Sequence, residues 1–133
     1  MTLFVDTSVW SQAFRRDQPV QTAEVTRLRR AVDEGELLVT TGLVLQEILQ
    51  GFSGPQDRDL IVDRFATLPF LTPDRDDHIQ AAELRNTCRR NGIQIGTIDA
   101  VLAQLCLRRD LTMLTADQDF LAIAAHSPLI VWR

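Results

Sequence analysis

The sequence contains no lysine, and its 14 basic residues are all arginines. This absence excludes a P-loop, whose lysine reaches the phosphates of a bound nucleotide. It also argues against phospho-acceptor receiver domains, which group aspartates at strand ends but depend on a lysine. The net charge of −4 gives no basic excess of the kind that nucleic-acid-binding proteins often have, although the planar arginine side chain is suited to bidentate phosphate contact.

Long hydrophobic runs are also missing, because Asp6 interrupts the first apolar stretch almost at once. We therefore expect neither a signal peptide nor a membrane span, and a cytoplasmic location. Cys88 and Cys106 lie in segments of helical periodicity, which indicates buried thiols and no disulfide framework. The cysteines and the two histidines lack the paired spacing of a zinc site, so the ligands of any bound metal should be oxygens.

No repeat, low-complexity tract or linker interrupts the 133 residues, which predicts a single domain. Short apolar runs alternate with segments of helical periodicity. This alternation is typical of a parallel sheet with helices on both faces, a three-layer α/β/α architecture. The predicted strands cover residues 3–5, 37–40, 68–72, 111–115 and 129–132. The predicted helices cover residues 8–14, 20–34, 42–51, 55–66, 74–90 and 117–125, and a further helix is expected with Thr97 as its N-cap.

Four acidic residues far apart in the chain occupy comparable places: Asp6, Glu47, Asp99 and Asp117. Asp6 and Asp117 each follow an apolar strand, and Asp99 lies in the first turn of the helix before the second of those strands. Glu47 borders the apolar stripe of the third helix. In an open α/β sheet the functional crevice lies outside the carboxyl ends of the strands. We therefore expect the four acids to meet at one crevice.

Carboxylates grouped in this way need a cation. Two of them about 4 Å apart repel by roughly 4 kcal/mol at an effective dielectric of 20. Hard oxygen ligands suit Mg²⁺ or Mn²⁺, which activate water and stabilise charge in phosphoryl displacement. Each acid alone has a simpler explanation, since acids in a first helical turn stabilise the helix by about 0.3 to 1 kcal/mol and aspartates favour turns. The joint pattern, and no single residue, predicts the metal site.

Four motifs carry these acids, in this order: Asp6-Thr7-Ser8, Glu47, Gly96-Thr97-Ile98-Asp99-Ala100 and Thr115-Ala116-Asp117-Gln118-Asp119-Phe120. Together they resemble the PIN-domain ribonucleases. In length, order and spacing nearly the whole chain is similar to the single-domain VapC-type toxins of toxin-antitoxin pairs. The resemblance implies a parallel, roughly five-stranded sheet flanked by helices, and an endoribonuclease that depends on Mg²⁺ or Mn²⁺.

The resemblance also implies roles for individual residues. The catalytic set is Asp6, Glu47, Asp99 and Asp117, and the metal-binding set is Asp6, Asp99, Asp117 and Asp119. Supporting hydroxyls that orient carboxylates or waters would come from Thr7, Ser8, Thr97 and Thr115, although local capping explains Thr97 equally well. The implied mechanism is attack of a metal-activated water on the scissile phosphorus, helped by Asp99 or Glu47, leaving 5′-phosphate and 3′-hydroxyl ends.

Partners follow from the same resemblance: a structured RNA of the transfer or ribosomal class, a second copy of the chain, and a VapB-like antitoxin protein. The arginine pairs Arg15-Arg16 and Arg89-Arg90 are candidates for phosphate contact, against the simpler interpretation of solvated helix ends. The aromatic residues Trp10, Phe14 and Phe52 are candidates for an antitoxin groove, against core packing.

Two other functions stay open at this stage. A haloacid-dehalogenase-like phosphatase also places an aspartate after its first strand, but it expects a second aspartate where this chain has Ser8. A catalytically inactive PIN-like binding module would use the acids only at helix termini. That function gives no reason to keep mutually repelling carboxylates together.

Overall fold

The computed structural model describes residues 1–15 and 21–133. Over these ranges two helices separate the first two strands, four helices separate the second strand from the third, and one helix precedes the last strand. In chain order the elements are β1 (Leu3–Val5), α1 (Thr7–Phe14), α2 (Ala23–Asp33), β2 (Leu38–Val39), α3 (Gly42–Gly51), α4 (Pro55–Phe65), α5 (Arg75–Arg90), α6 (Thr97–Arg109), β3 (Thr112–Leu114), α7 (Gln118–Ala124) and β4 (Ile130–Val131). Among the described helices none is long and apolar enough to cross a membrane.

The strands form one parallel sheet in the order β2-β1-β3-β4. In the central strand β1, Leu3 pairs with Leu38 on one side and with Thr112 on the other. Leu3, Phe4 and Val5 are all fully buried. Because successive strand residues point to opposite faces, their burial shows that both faces of the sheet are covered. The predicted three-layer α/β/α architecture is confirmed.

The fifth strand expected over residues 68–72 is reduced to one bridge between Thr40 and Phe70. There the Thr40 amide donates to the Pro69 carbonyl at 3.0 Å, and the Leu71 amide donates to the Thr40 carbonyl at 2.8 Å. Pro69 and Pro73 have no N–H group, which limits the ladder on both sides of the bridge. Over the described residues the sheet therefore has four strands, one fewer than the roughly five predicted.

Helices α5 and α6 form an antiparallel pair whose two ends are both braced. At one end Arg108 of α6 donates to Asp74 at 2.6 Å and to the fully buried Asp77 at 2.9 Å; these two acids form the capping box of α5. At the other end Arg85 of α5 donates from Nε to the Ile95 carbonyl at 2.8 Å. These contacts fix the start of α6 relative to α5.

The N-cap of α6 is Gly96, and Thr97 is the first helical residue, so the expectation that Thr97 caps this helix is wrong by one position. Gly96 has the extended backbone of a cap residue, with φ −73° and ψ 160°. A Cβ atom at position 96 would lie 3.9 Å from Asp99 Oδ2. That distance is an ordinary van der Waals contact, so neither space nor backbone conformation requires glycine at this position.

Candidate active site

Asp6 is the buried anchor of the acidic cluster. It follows β1, caps α1 and is only 5% exposed. Its Oδ2 atom accepts hydrogen bonds from Ser8 Oγ at 2.7 Å and from Thr115 Oγ1 at 2.9 Å. Burial raises the pKa of Asp6, and the hydrogen bonds from Ser8 and Thr115 oppose that rise because they stabilise the ionised form.

The two hydroxyls that contact Asp6 also hold the turn after β3. Ser8 Oγ accepts from the Ala116 amide at 2.9 Å, and Thr115 Oγ1 accepts from the Asp117 amide at 3.0 Å. Each hydroxyl donates its single proton to Asp6 and uses its lone pairs for these amides. The ends of β1 and β3 are thereby joined through side chains, and Ser8 and Thr115 lie where their predicted supporting role requires.

Glu47 reaches the cluster from α3. It is half-buried, and its Oε1 atom accepts a hydrogen bond from Thr7 Oγ1 at 3.1 Å. Thr7 is the first residue of α1, directly after Asp6. The threonine therefore connects the helix that carries Glu47 to the strand end that carries Asp6.

Three further carboxylates come together beside these residues. Each of Asp99, Asp117 and Asp119 offers an oxygen within 4.8 Å of the others. Asp117 caps α7, and its Oδ1 atom accepts from the Asp119 amide at 2.9 Å. Asp99 and Asp117 are half-buried, whereas Asp119 is exposed. The group thus opens to solvent on one side.

Asp99 shows how closely the acids are grouped. Burial raises its pKa to about 6, and the charges of Asp6, Asp117, Asp119 and Glu47 act in the same direction. The helix start at α6 would by itself favour the ionised form. Because the net effect opposes ionisation, the like charges and the loss of water dominate at this position.

These donors fit a divalent cation. Carboxylate oxygens are the ligands that Mg²⁺ and Mn²⁺ prefer, and a bound cation would relieve the repulsion that raises the pKa of Asp99. The three clustered oxygens belong to Asp99, Asp117 and Asp119. Asp6, expected from the resemblance to be a fourth ligand, lies close enough to influence Asp99, and its Oδ2 atom is occupied by Ser8 and Thr115.

Thr97 is not brought to the acids by any contact among the described residues. It borders a groove between α5 and α6 together with His78, Arg85 and Asn86. Two residues along a helix correspond to about 200° of rotation, so Thr97 and Asp99 lie on opposite sides of α6. The supporting role expected for Thr97 stays a prediction without geometric support.

The predicted RNA-contacting arginines divide into three cases. Arg89 and Arg90 are exposed in the last turn of α5, bonded to Asn86 and Thr87 of the same helix. The antiparallel pairing puts this turn at the same end as the start of α6, the helix whose first turn carries Asp99. Arg15 is exposed just beyond the far end of α1, about 12 Å of helix from Asp6. Arg16 lies outside the described residues.

Sequence reasoning missed three residues around the cluster. Cys106 of α6 is buried, and both its burial and the nearby charge of Asp6 raise the pKa of its thiol. Glu24 of α2 and Trp132, just after β4, line a cleft beside Asp117. The predicted last strand, residues 129–132, contained Trp132, so no signal in the sequence indicated that this side chain lines the cleft beside Asp117.

Fold and site together define a parallel α/β protein with a carboxylate cluster at the carboxyl edge of its sheet. The model of the PIN domain family matches residues 3–126, and the chain belongs to that family. The expected family is confirmed, and the haloacid-dehalogenase-like alternative is left without support.

Solved structures show the same fold over nearly the whole chain. VapBC2 from Rickettsia felis, solved with a DNA fragment from its promoter, has a TM-score of 0.76 and 18% identity, covering 99% of this chain and 98% of that one. FitAcB from Neisseria gonorrhoeae has a TM-score of 0.71 and 20% identity, covering 98% and 96%. VapC20 from Mycobacterium tuberculosis, a toxin that cleaves the sarcin-ricin loop, has a TM-score of 0.69 and 20% identity, covering 96% and 98%. A comparison with curated proteins finds no match.

Proposed function

We propose that the protein is an endoribonuclease that depends on Mg²⁺ or Mn²⁺ and is the toxin of a toxin-antitoxin pair. The observation that carries the proposal is the convergence of five acids from four chain segments, where burial and then the charges of the other four acids raise the pKa of Asp99 to about 6. A binding module gains nothing from such repulsion. A nuclease gains a cation site, because the cation neutralises charge on the phosphodiester.

The residues of the chain would divide the chemistry as follows. Asp99, Asp117 and Asp119 hold the cation, which when bound lowers the pKa of water and stabilises charge on the phosphate. Asp99 or Glu47 takes the proton of the attacking water. The water oxygen bonds to phosphorus as the bond from phosphorus to the 3′-oxygen breaks, and the 3′-oxygen takes a proton from solvent. The products carry 5′-phosphate and 3′-hydroxyl ends.

Asp6 stays an expected cation ligand, as the resemblance implies, and it also has a positioning role in this scheme. Its hydrogen bonds to Ser8 and Thr115 hold the turn that presents Asp117, so the carboxylate of Asp6 controls where the cation ligands lie. Its buried charge adds to the field at the cation site. Removing a residue that orients metal ligands in this way typically lowers metal affinity or activity by about 10- to 100-fold.

Cleavage of total RNA tests the nuclease. The wild type, Asp6→Asn and Asp99→Asn are incubated with Mg²⁺, Mn²⁺ or EDTA, and Asp63→Asn on exposed α4 serves as the matched control. We expect cleavage by the wild type and the control only with a divalent ion, and strongly reduced cleavage by the two site variants. Equal behaviour of all four proteins would remove the nuclease assignment and favour the catalytically inactive PIN-like module. Undiminished cleavage in EDTA would overturn the metal-dependent mechanism.

The RNA target is proposed at the level of class, a structured transfer or ribosomal RNA. The similar fold of VapC20, which cleaves the sarcin-ricin loop, supports this choice. Sequencing of RNA 5′ ends after brief expression would identify the cut sites. Cuts spread without preference over messenger RNA would contradict it.

The antitoxin partner is supported by a groove of about 380 Å³ between α1, α2 and α4. Trp10 and Phe14 line it, whereas Phe52 touches Phe14 edge-on and is not among the lining residues. Trp10 also packs on Phe65, so this residue contributes to core packing as well as lining the groove. Its buried Nε1 group has no partner among the described residues and suits the carbonyl of a bound peptide.

Co-purification tests this partner. The protein encoded immediately upstream is co-expressed with the wild type, with the groove variant Val32→Arg, or with the control variant Ile130→Arg. The exposed fractions of the two replaced side chains are similar, 40% for Val32 and 52% for Ile130. We expect Val32→Arg alone to lose the partner. Retention by both variants would exclude this groove. The homodimer, supported by the exposed Phe70 and Ile79, and the cytoplasmic location stay predictions.

A further inference from the structure

A second cleft, of about 320 Å³, lies directly beside the acidic cluster. It is bounded by the ends of β3 and β4 and by the first turn of α2, and its lining includes Glu24, Thr115, Asp117, Leu121, Trp132 and Arg133. We propose that this cleft binds one unpaired nucleobase next to the scissile phosphate, with the base stacked on Trp132. The proposal rests on the nuclease function above and specifies which part of its RNA substrate must be single-stranded.

Trp132 is held as a stacking surface. Met113 pairs with Val131 in the parallel sheet, and the Trp132 amide donates to the Met113 carbonyl at 2.9 Å. The indole is half-buried and packs partly on the core. The indole also borders a different cleft, of about 420 Å³, which lies along α2. An aromatic ring that packs partly on the core and lines a cleft is held in place and offers surface for base stacking.

Asp117 connects the two sites. Its carboxylate belongs to the cation cluster, and the same residue forms one wall of the cleft. A strand whose phosphate lies at the cluster must place the neighbouring nucleotide within reach of that wall. The cleft is therefore a site for the nucleotide that flanks the cut.

The charges of the cleft favour a base over a phosphate. Glu24 and Asp117 both present carboxylates, which would repel a phosphate and outnumber the single guanidinium of Arg133. Leu121 and Val131 supply apolar surface. A base is neutral, and the amino groups of adenine, cytosine and guanine can donate to a carboxylate. The volume lies at the low end of ligand pockets, which span about 300 to 1,000 Å³. That is room for a single base, and a paired one would have to leave its helix.

Fluorescence of Trp132 tests stacking without relying on cleavage. In Trp10→Phe combined with Asp99→Asn, Trp132 is the sole tryptophan of the chain. We expect a short single-stranded oligoribonucleotide to quench its emission and a duplex of the same sequence to leave it unchanged. In an otherwise unchanged Asp99→Asn protein, Trp132→Leu should weaken binding of the single strand by about 5- to 150-fold, and Trp132→Phe should restore most of it.

Glu24→Gln gives a second test, which does not change the packing of Trp132. If Trp132→Leu does not fold, this second variant tests whether the cleft binds a base. In this variant we expect cut sites in total RNA to lose their preference for amino-bearing bases at the flanking position. Unchanged single-strand affinity in Trp132→Leu, or an unchanged preference in Glu24→Gln, overturns the base cleft while wild-type cleavage upholds the nuclease. Quenching of Trp132 fluorescence without any wild-type cleavage supports the base cleft and overturns the nuclease function. If neither quenching nor cleavage is observed, the base cleft and the nuclease function are both overturned.

Discussion

Thr7 Oγ1 donates a hydrogen bond to Glu47 Oε1 at 3.1 Å, joining residues that are 40 positions apart in the chain. This contact explains how a glutamate on the flank of α3 takes part in a site otherwise built from strand ends and helix starts. The bond holds the Glu47 side chain in one position beside the start of α1. A solvated glutamate would instead sample many side-chain conformations.

Loss of the Thr7 hydroxyl should therefore weaken the site without damaging the fold. We expect Thr7→Val, which keeps the side-chain shape, to reduce the apparent affinity for Mn²⁺ or the cleavage rate by about 10-fold or more. Titration of RNA cleavage against Mn²⁺ measures both quantities. Thr72→Val, at an exposed position, is the control. Equal curves for the two variants would show that the bond to Glu47 has no functional weight.

Replacing Thr115 with valine should lower stability as well as activity. The change removes a donor to Asp6 and leaves the Asp117 amide without its acceptor. We expect a loss of about 1 to 3 kcal/mol in the free energy of unfolding, because polar groups near the core lose their partners. Urea denaturation measures this loss. Thr115→Ser, which keeps the hydroxyl, should be much closer to the wild type, and a Ser variant as unstable as the Val variant would point to packing instead.

Metal-free stability should fall as the pH rises through Asp99's titration range. The folded protein holds the pKa of this carboxyl at about 6, above its ordinary 3.8, so the folded state binds more protons between these values. The ionised carboxylate should cost about 1 kcal/mol at pH 7.5, discounted because the group is half-exposed.

Thermal melts at pH 5 and pH 7.5, with and without Mg²⁺, check this expectation. Mg²⁺ should raise the melting temperature more at pH 7.5, where the carboxylates are charged. The metal-free Asp99→Asn variant should lose much of the pH dependence and exceed the wild type in stability at pH 7.5. A metal-induced rise that is larger at pH 5 would contradict the electrostatic account.

The brace between α5 and α6 should affect stability far more than chemistry. Arg108→Gln removes the charged partner of the fully buried Asp77. We expect a loss of about 1 to 3 kcal/mol on unfolding, less than for a wholly buried pair because Arg108 is partly exposed. Denaturation of Arg108→Gln beside Arg109→Gln, its exposed neighbour, measures the difference. Similar midpoints for both variants would show that the brace is weak.

Arg89 and Arg90 should contribute to RNA binding through phosphate contact. Each replacement by alanine should weaken binding similarly for RNAs of different sequence and reduce the salt slope by about 1. Binding to the Asp99→Asn protein at several salt concentrations gives that slope. Arg58→Ala, an exposed arginine on α4 paired with Asp59, is the control. A slope unchanged from wild type would assign the two arginines to the solvated end of α5.

The sequence was sufficient for the parts of the site that follow from backbone direction. Asp6 and Asp117 follow parallel strands, so their meeting at one edge is a consequence of the sheet. Glu47 was less accessible, because its approach depends on a side-chain bond from α1 to α3 that no local pattern encodes. The fifth strand was overpredicted, since the β-like segment around Phe70 lies between prolines that limit pairing. The Trp132 cleft was missed because it needs the packing of α2 against the sheet edge.

The bond from Thr115 to Asp6 spans 109 positions, and the paired residues of β1 and β3 are separated by the same number. A chain leaving the ribosome has therefore already released its first strand long before the neighbour of that strand is made. Until then β1 lacks half of its hydrogen-bonding partners, and the acids have no common place to meet. On the proposed nuclease function, we expect an unfinished or truncated product without Asp117 and Asp119 to lack activity, because two of the three clustered carboxylates are missing from it.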